Sequence, residues 1–439
     1  MRHQAARCVG ALLTLTMIAT EGQTVEQGNQ RLQPILFIPG YGMSALTIEV
    51  DRKGKKATSF NFLLPAMNPD TIFKELSPPT SNALDYAGQS GLNKDDIKLV
   101  RYWLKLKIDN NGKAHNQENV VVRPISIGED FAKECPRYRG MMVKLTSMGW
   151  AANENLMCVP YDYRYPPGHT AFVDNLRQQI VKHASIHNQK ITIACHSQGC
   201  LLAYHFLRTQ DQDWIKRHIG LFFSMAGQFS GCSDCLRWAF QKEWSWHHKA
   251  NANSPSDMSW VGELALGLQT SVYGDHVLYR WGETDYRAND VRRLLKDARA
   301  VAMERATDHY ALDNQNWFLD GVRDRKPLAV ATRIVFGTEL RTTIGFDFVR
   351  GDPPQLNCDQ PQCGGLYKQD QPDLIESWGD QGDSTWMNQA PGRWLVNPKC
   401  EIKEYKRVSH MEIVENEQVM TYLKNTIQDI DSGIDTCTL

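Results

Sequence analysis

Three side chains of this 439-residue chain, Ser197, Asp383 and His410, are of the types that together perform acyl transfer. A serine hydroxyl is a poor nucleophile near neutral pH. An imidazole must take its proton, and a carboxylate must orient the ring and stabilise the imidazolium that forms. Ser197 lies in Cys195-His196-Ser197-Gln198-Gly199. Asp383 lies in the polar loop Gly379-Asp380-Gln381-Gly382-Asp383-Ser384-Thr385, where Asp380 is the alternate acid. His410 lies in Val408-Ser409-His410-Met411-Glu412-Ile413. The oxyanion of such a reaction needs backbone N–H donors. One candidate is Gln198, next to the serine. The other is Tyr41 in Pro39-Gly40-Tyr41-Gly42-Met43-Ser44, where the glycines free the loop to aim its N–H groups, with Gly42 as the alternative.

These residues need elements to hold them. Ile191-Thr192-Ile193-Ala194 reads as a buried strand, and Cys200 to Leu207 as a helix with an apolar face. A serine at the sharp turn between two such elements matches the nucleophile elbow of α/β-hydrolases, whose chain order is serine, acid, histidine. Close packing there demands small residues. Gly199 meets the demand, and Cys195 stands where glycine is usual. Pro34 to Ile38 reads as an early strand feeding the oxyanion loop, and Leu156 to Val159 as another core strand. Residues 139–149 and 171–185 read as helices. Leu104, Leu106 and Ile108 alternate with Lys105 and Lys107, which predicts a one-sided strand. Trp394-Leu395-Val396 and the charged segment around Tyr405 fill the space between acid and histidine. The fold class expected is α/β: an α/β-hydrolase with a mostly parallel central sheet, helices on both faces, an inserted cap and a small membrane-binding excursion.

Several segments taken together resemble the lecithin:cholesterol acyltransferase family, which includes the lysosomal phospholipase A/acyltransferase. They are Ile38 to Leu46, Pro160-Tyr161-Asp162-Tyr163-Arg164, the Ser197 elbow, and Gly382-Asp383-Ser384-Thr385 with His410. Asp275 to Tyr279 with Tyr286 to Val291 is similar to the family's cap segment, and Val335 to Leu340 to the strand after it. The resemblance runs from about Pro34 to about Tyr422. It implies a glycerophospholipid acyl donor, with water or a lipid alcohol such as a sterol as acceptor. It also implies that residues 51–95 belong to a membrane-binding part. The chain departs from the pattern after Gly220 to Met225. Ala226-Gly227-Gln228-Phe229-Ser230-Gly231-Cys232 stands there in place of an Ala-Pro-Trp-Gly-Gly-like turn.

The expected organisation is a signal peptide over 1–22, a core first part over 33–235 with the 51–95 excursion, a cap over 236–325 and a core second part over 326–439. Arg2, His3 and Arg7 precede a short apolar run, Cys8 to Ala19, shorter than the ~20 residues a spanning helix needs. Cleavage is expected between Ala19 and Gly22, giving a secreted or lysosomal protein. The chain has 11 cysteines, and loss of Cys8 leaves an even number for an oxidising compartment. Cys232/Cys235 and Cys358/Cys363 are candidate local bridges, and Cys195 and Cys200 are expected as buried thiols. The start of the cap, Leu236 to Lys249, is aromatic and basic. Trp238, Trp244 and Trp246 suit either a lipid interface under a moving lid or the core of the cap. The partner expected is a phospholipid membrane or lipoprotein-like surface, met peripherally and transiently. A net charge of −1 offers no basic field for nucleic acid. No cofactor and no metal are expected. Two other readings compete: a catalytically inactive lipid-binding protein on this fold, and a secreted carboxylesterase acting on soluble esters.

Overall fold

The computed structural model describes residues 32–52, 55–62, 103–229, 231, 260–267, 277–281, 283–297, 301–310, 328, 330–339, 345–348, 374–378 and 402–434. The leader, most of the 51–95 excursion, Trp238, Trp244, Trp246, both candidate local cysteine bridges, Asp380 and Asp383 lie outside them.

Short runs of apolar residues form the central sheet. Its strands are β1 (Ile35–Ile38), β2 (Leu156–Cys158), β3 (Ile191–His196), β4 (Ile219–Met225), β5 (Ala331–Thr338) and β6 (Ile402–Lys406). They are ordered β6-β5-β4-β3-β1-β2, every pair parallel. In register, Phe37 lies between Cys158 and Ala194. A parallel sheet is covered on both faces, so its strands read as continuous apolar runs. The two-residue period then splits each run between two cores. Leu36, Ile38, Ile193 and Phe222 join one, with Phe172, Leu176 and Ile180 of a long helix. Ile35, Phe37, Ala194 and Phe223 join the other, with Met141, Leu145, Val419, Leu423 and Ile427. The helices concerned are α1 (Arg139–Ser147), α2 (Thr170–His187), α3 (Gln198–Thr209) and α4 (Glu417–Asp431). Both α2 and α3 cover the first face, and α1 and α4 the second.

The chain goes from β1 outward to β2, then returns to place β3 on the other side of β1. Such a reversal opens a crevice at the carboxyl ends of the strands, where open α/β sheets hold their sites. The loop after β1 carries Gly40 and Tyr41, and the turn after β3 carries Ser197. The loop after β6 carries His410.

The Leu104 region differs from expectation. Leu104, Leu106 and Ile108 are buried, but so is Lys105, and only Lys107 is exposed, so the segment is not the one-sided strand that the alternation predicts. Only Lys107–Ile108 is a strand, paired with Ala114–His115. The Leu104 carbonyl accepts instead from Arg164 Nη1 (3.0 Å) and Trp260 Nε1 (2.9 Å), and the Lys105 carbonyl from Gln117 Nε2 (2.9 Å). Side chains have taken the acceptors a ladder would use. Arg164, fully buried, is the centre of this arrangement. Its Nε and Nη2 bind the two oxygens of Asp162 at 2.9 and 2.6 Å, and Nη2 also reaches Asn116 Oδ1 at 2.7 Å.

The excursion opens as an antiparallel pair, Leu46–Arg52 with Lys55–Phe62, flanked by Val120–Pro124. In the cap region Val277–Trp281 pairs with Thr284–Arg287 and, in parallel, with Gly345–Phe348. The small sheet therefore draws a strand from beyond residue 325. No helix among the described residues is long and apolar enough to cross a membrane.

Candidate active site

Ser197 occupies the turn between the last residue of β3 and the first of α3, at φ 54° and ψ −127°. A serine avoids this positive-φ region, at a cost of about 1–3 kcal/mol, unless its surroundings impose it. Here they do. The Ser197 N–H donates to the Met225 carbonyl (3.1 Å), and its own carbonyl accepts from the N–H groups of Cys200 (3.1 Å) and Gln228 (3.4 Å). A Cβ on Gly199 would stand 2.3 Å from the Pro39 carbonyl oxygen and 2.5 Å from that of Ile38, so only glycine fits there. A Cβ on Gly40 would stand 3.1 Å from that of Ser197, which brings the β1 loop against the elbow.

Cys195 and Cys200 are not the expected thiols. They form a disulfide across the elbow, because the turn brings their Cα atoms to 5.0 Å, within bridging range. A second disulfide, Cys135–Cys158, ties the end of β2 to the segment before Tyr138.

Of the two proposed oxyanion donors, Gln198 begins α3, where N–H groups have no partner within the helix. Its side chain is held away from the turn, accepting from Tyr161 Oη (3.0 Å) and donating to the Gly262 carbonyl (2.8 Å). Tyr41 follows Gly40 in the abutting loop, its ring buried edge-on against Tyr163 at 5.5 Å. The Gly40 N–H is committed elsewhere, to Tyr138 Oη at 2.8 Å.

His410 leaves β6 after Arg407, whose φ is 57° and whose N–H donates to the Thr338 carbonyl (2.7 Å). Ser409 and Glu412 then bond reciprocally, Ser409 N to Glu412 Oε2 (2.9 Å) and Glu412 N to Ser409 Oγ (3.3 Å). The His410 carbonyl accepts from His196 Nε2 (2.8 Å), and the two rings lie 4.6 Å apart. Gln228 Nε2 lies 3.5 Å from His410 Nδ1. Among the described residues Ser197 Oγ and His410 are not directly hydrogen-bonded, although their loops are held together. Catalytic hydrogen bonds often tighten only once substrate is bound. Desolvation by surrounding protein holds the His410 imidazole below its ordinary value, although the residue as a whole is exposed. The ring is therefore neutral and can accept a proton.

Sequence reasoning missed three residues of this neighbourhood: His196, Tyr138 and Gln228. The first stands inside the elbow motif, and its signal was a titratable side chain ending an otherwise apolar strand. Gln228 lies in the turn where the chain departs from the family pattern. Tyr138 carried no signal. No cluster among the described residues could hold a metal ion.

Burial also lowers His183 to about 4, His196 well below its ordinary value, and His169 and His205 by smaller amounts. Each is neutral in the fold but protonates near 6.5 when the chain unfolds. Below that value the unfolded state binds more protons, so stability falls as pH drops from about 6.5 towards 4. Glu134 and Asp431, both raised by burial, act in the opposite sense but are two groups against four histidines. The urea midpoint is expected to hold above about pH 7 and decline steadily below 6.5. A midpoint unchanged between pH 7 and 5 would refute the buried neutral histidines.

Residues 100–239 match the family model described as "Lecithin:cholesterol acyltransferase". The chain is similar to the phosphatidylcholine-sterol acyltransferase of Gallus gallus, 28% identical over 28% of this chain and 32% of the relative. It is similar to that of Homo sapiens at 25% identity, over 28% of this chain and 29% of the relative. The matched stretch thus spans less than a third of either relative's length. A chain in the crystal structure of the Tle4–Tli4 complex aligns over 92% of this chain and 99% of its own, with a TM-score of 0.48 and 11% identity. The stretch that matches the family model contains β2, β3, the Ser197 elbow and α3, so the likeness falls on the part of the parallel, helix-covered sheet that carries the nucleophile turn.

Proposed function

We propose that this chain is a serine acyl hydrolase or acyltransferase, a phospholipase A or phospholipid:alcohol O-acyltransferase, that works at a phospholipid surface after export. The observation that carries the reading is Ser197 itself. It is a serine forced to positive φ at the carboxyl end of β3, with the His410 loop bonded to the residue beside it. In the proposed reaction Ser197 Oγ attacks the acyl carbonyl of a glycerophospholipid while His410 takes the hydroxyl proton. The N–H groups of Gln198 and Tyr41 hold the oxyanion. The tetrahedral adduct collapses, His410 returns the proton to the departing lysolipid oxygen, and an acyl-serine remains. Water or a lipid alcohol, deprotonated by the same imidazole, then takes the acyl group. Asp383 is the proposed acid, with Trp238, Trp244 and Trp246 at the lipid interface. The family likeness supports the phospholipid donor, and the disulfides support an oxidising compartment.

The test is incubation of the chain with phosphatidylcholine vesicles containing sterol, with Ser197→Ala alongside and products read by mass spectrometry. Lysophospholipid with steryl ester, lost in the variant, supports an acyltransferase. Lysophospholipid with free fatty acid supports a phospholipase. Turnover of soluble esters alone, with no gain at vesicles, would replace the phospholipid reading with a carboxylesterase. Absence of any Ser197-dependent product at acid and neutral pH would sink the enzyme reading in favour of a lipid-binding protein.

A further inference from the structure

The last residue of β3 is a histidine in a strand whose other members pack as core. His196 is 1% exposed and Tyr138 is fully buried. A buried imidazole is costly unless its nitrogens are paired. Both of these are, and both bonds lead out of the sheet to the loops beside Ser197. On one side His196 Nδ1 lies 2.9 Å from Tyr138 Oη, which in turn accepts the Gly40 N–H at 2.8 Å. On the other, His196 Nε2 lies 2.8 Å from the His410 carbonyl oxygen.

The polarity of this chain is set at its ends. A backbone carbonyl can only accept, so His196 Nε2 carries the hydrogen. A neutral ring then has a bare Nδ1, which must accept, and the donor facing it is the single Tyr138 hydroxyl hydrogen. That leaves the phenolic oxygen free to accept from Gly40. The order is Gly40 N–H to Tyr138 Oη, Tyr138 O–H to His196 Nδ1, and His196 Nε2–H to the His410 carbonyl. Every group is satisfied in one arrangement only. Burial opposes charge on both His196 and Tyr138, which keeps the arrangement intact.

We propose that His196 is a positioning residue that sets the oxyanion loop and the histidine loop in register across the nucleophile. The inference rests on the reading of Ser197 and His410 given under Proposed function. Gly40 precedes the proposed donor Tyr41 directly, so its N–H fixes the orientation of that loop. The His410 carbonyl belongs to the proposed base itself. The serine between the two loops is the residue next to His196. One rigid side chain thus measures both distances from the position where the reaction needs them measured. The Cys135–Cys158 bridge anchors the segment that carries Tyr138 from behind. A core role alone would leave these two loops unconnected to the ring.

Misplacement of a catalytic group by about 1 Å costs on the order of 10²-fold in rate. With a p-nitrophenyl ester as soluble acyl donor, His196→Phe is expected to lose about 10²-fold in kcat with KM within about twofold. His196→Gln keeps an N–H near the Nε2 position and so restores the bond to His410. It is expected to recover about tenfold of the loss, more than His196→Asn, whose amide cannot reach that carbonyl. Unchanged kcat in His196→Phe, or no advantage of Gln over Asn, would overturn the proposal. If His196→Phe fails to fold by circular dichroism, Tyr138→Phe decides the matter, since it removes one oxygen. A drop of about tenfold in kcat is then expected, and wild-type kcat overturns the proposal. Ser197→Ala run beside these separates the two ideas. If wild-type turnover does not depend on Ser197, the proposed function is at fault. Histidine ¹⁵N spectra then test the positioning chain directly. A His196 ring protonated at Nε2 alone, with a signal that shifts in Tyr138→Phe, upholds the chain, and an Nδ1-protonated ring overturns it.

Discussion

Replacing Ser197 by alanine is expected to lower kcat for acyl-ester hydrolysis by about 10⁴- to 10⁶-fold, and replacing His410 by alanine to do nearly the same. The double variant should be no worse than either single one. In the proposed mechanism the two groups act as a unit. Without the imidazole the serine keeps its proton at neutral pH, and without the serine the imidazole has no nucleophile to activate. The structure supplies the preconditions for this coupling. The elbow conformation is imposed by hydrogen bonds on both sides of Ser197, and crowding keeps His410 neutral. Steady-state rates on a soluble ester, with circular dichroism to confirm folding, check the expectation. If the His410 variant retains more than about a tenth of the activity, or the two losses multiply, the pair does not act as a unit. The same assay sorts the two acids. Asp383→Asn should fall far more than Asp380→Asn, because an amide cannot hold the required tautomer or stabilise the imidazolium.

Arg164→Met should cost about 3–5 kcal/mol of stability, more than most single substitutions. The guanidinium is fully buried and satisfies four acceptor atoms at once: both oxygens of Asp162, the Leu104 carbonyl and Asn116 Oδ1. A methionine of similar length would leave a carboxylate buried without its counter-charge and Asn116 Oδ1 without the guanidinium, while the Leu104 carbonyl would keep only its bond from Trp260 Nε1. Breaking one partner of a buried pair is costly for that reason, whatever the intact pair contributes in net terms. Arg164→Lys should rescue little, because an ammonium cannot present the planar fork that meets both Asp162 oxygens while reaching two other acceptors. Urea unfolding monitored by tryptophan fluorescence gives the number. A loss below about 1 kcal/mol for the methionine variant would mean that the pair and its carbonyl contacts are not formed in solution. Replacing Asp162 and Arg164 together by apolar residues should cost less than Arg164→Met alone.

The order in which chemistry was legible follows from the range of the forces involved. The strand at Ile191, the helix after Gly199 and the turn between them are local patterns, set by apolar runs, one small residue and a polar break. The parallel sheet followed from the same runs, because strands buried on both faces show no alternation. Leu104, Leu106 and Ile108 were placed correctly in the core but not in a regular strand. Burial follows from hydropathy alone, whereas pairing depends on which partner reaches the carbonyls first, and here Arg164, Trp260 and Gln117 did.

What the sequence by itself determined was the class of scaffold and where its candidate residues stand on it: Ser197 at a strand-to-helix turn, a histidine near the end, and an apolar-strand pattern for a parallel sheet. Only the tertiary structure decided that Cys195 and Cys200 are bonded to each other, that Gln228 approaches His410, and that His196 and Tyr138 join the loops around the nucleophile. Cys200 stands five residues from its partner, yet the bridge depends on how sharply the elbow folds. Tyr138 and His196 are separated by 58 positions, and His196 and His410 by 214. Hydrogen bonds act over about 3 Å and leave no periodicity in a sequence, so contacts at that separation become visible only when the sheet has brought its carboxyl ends together.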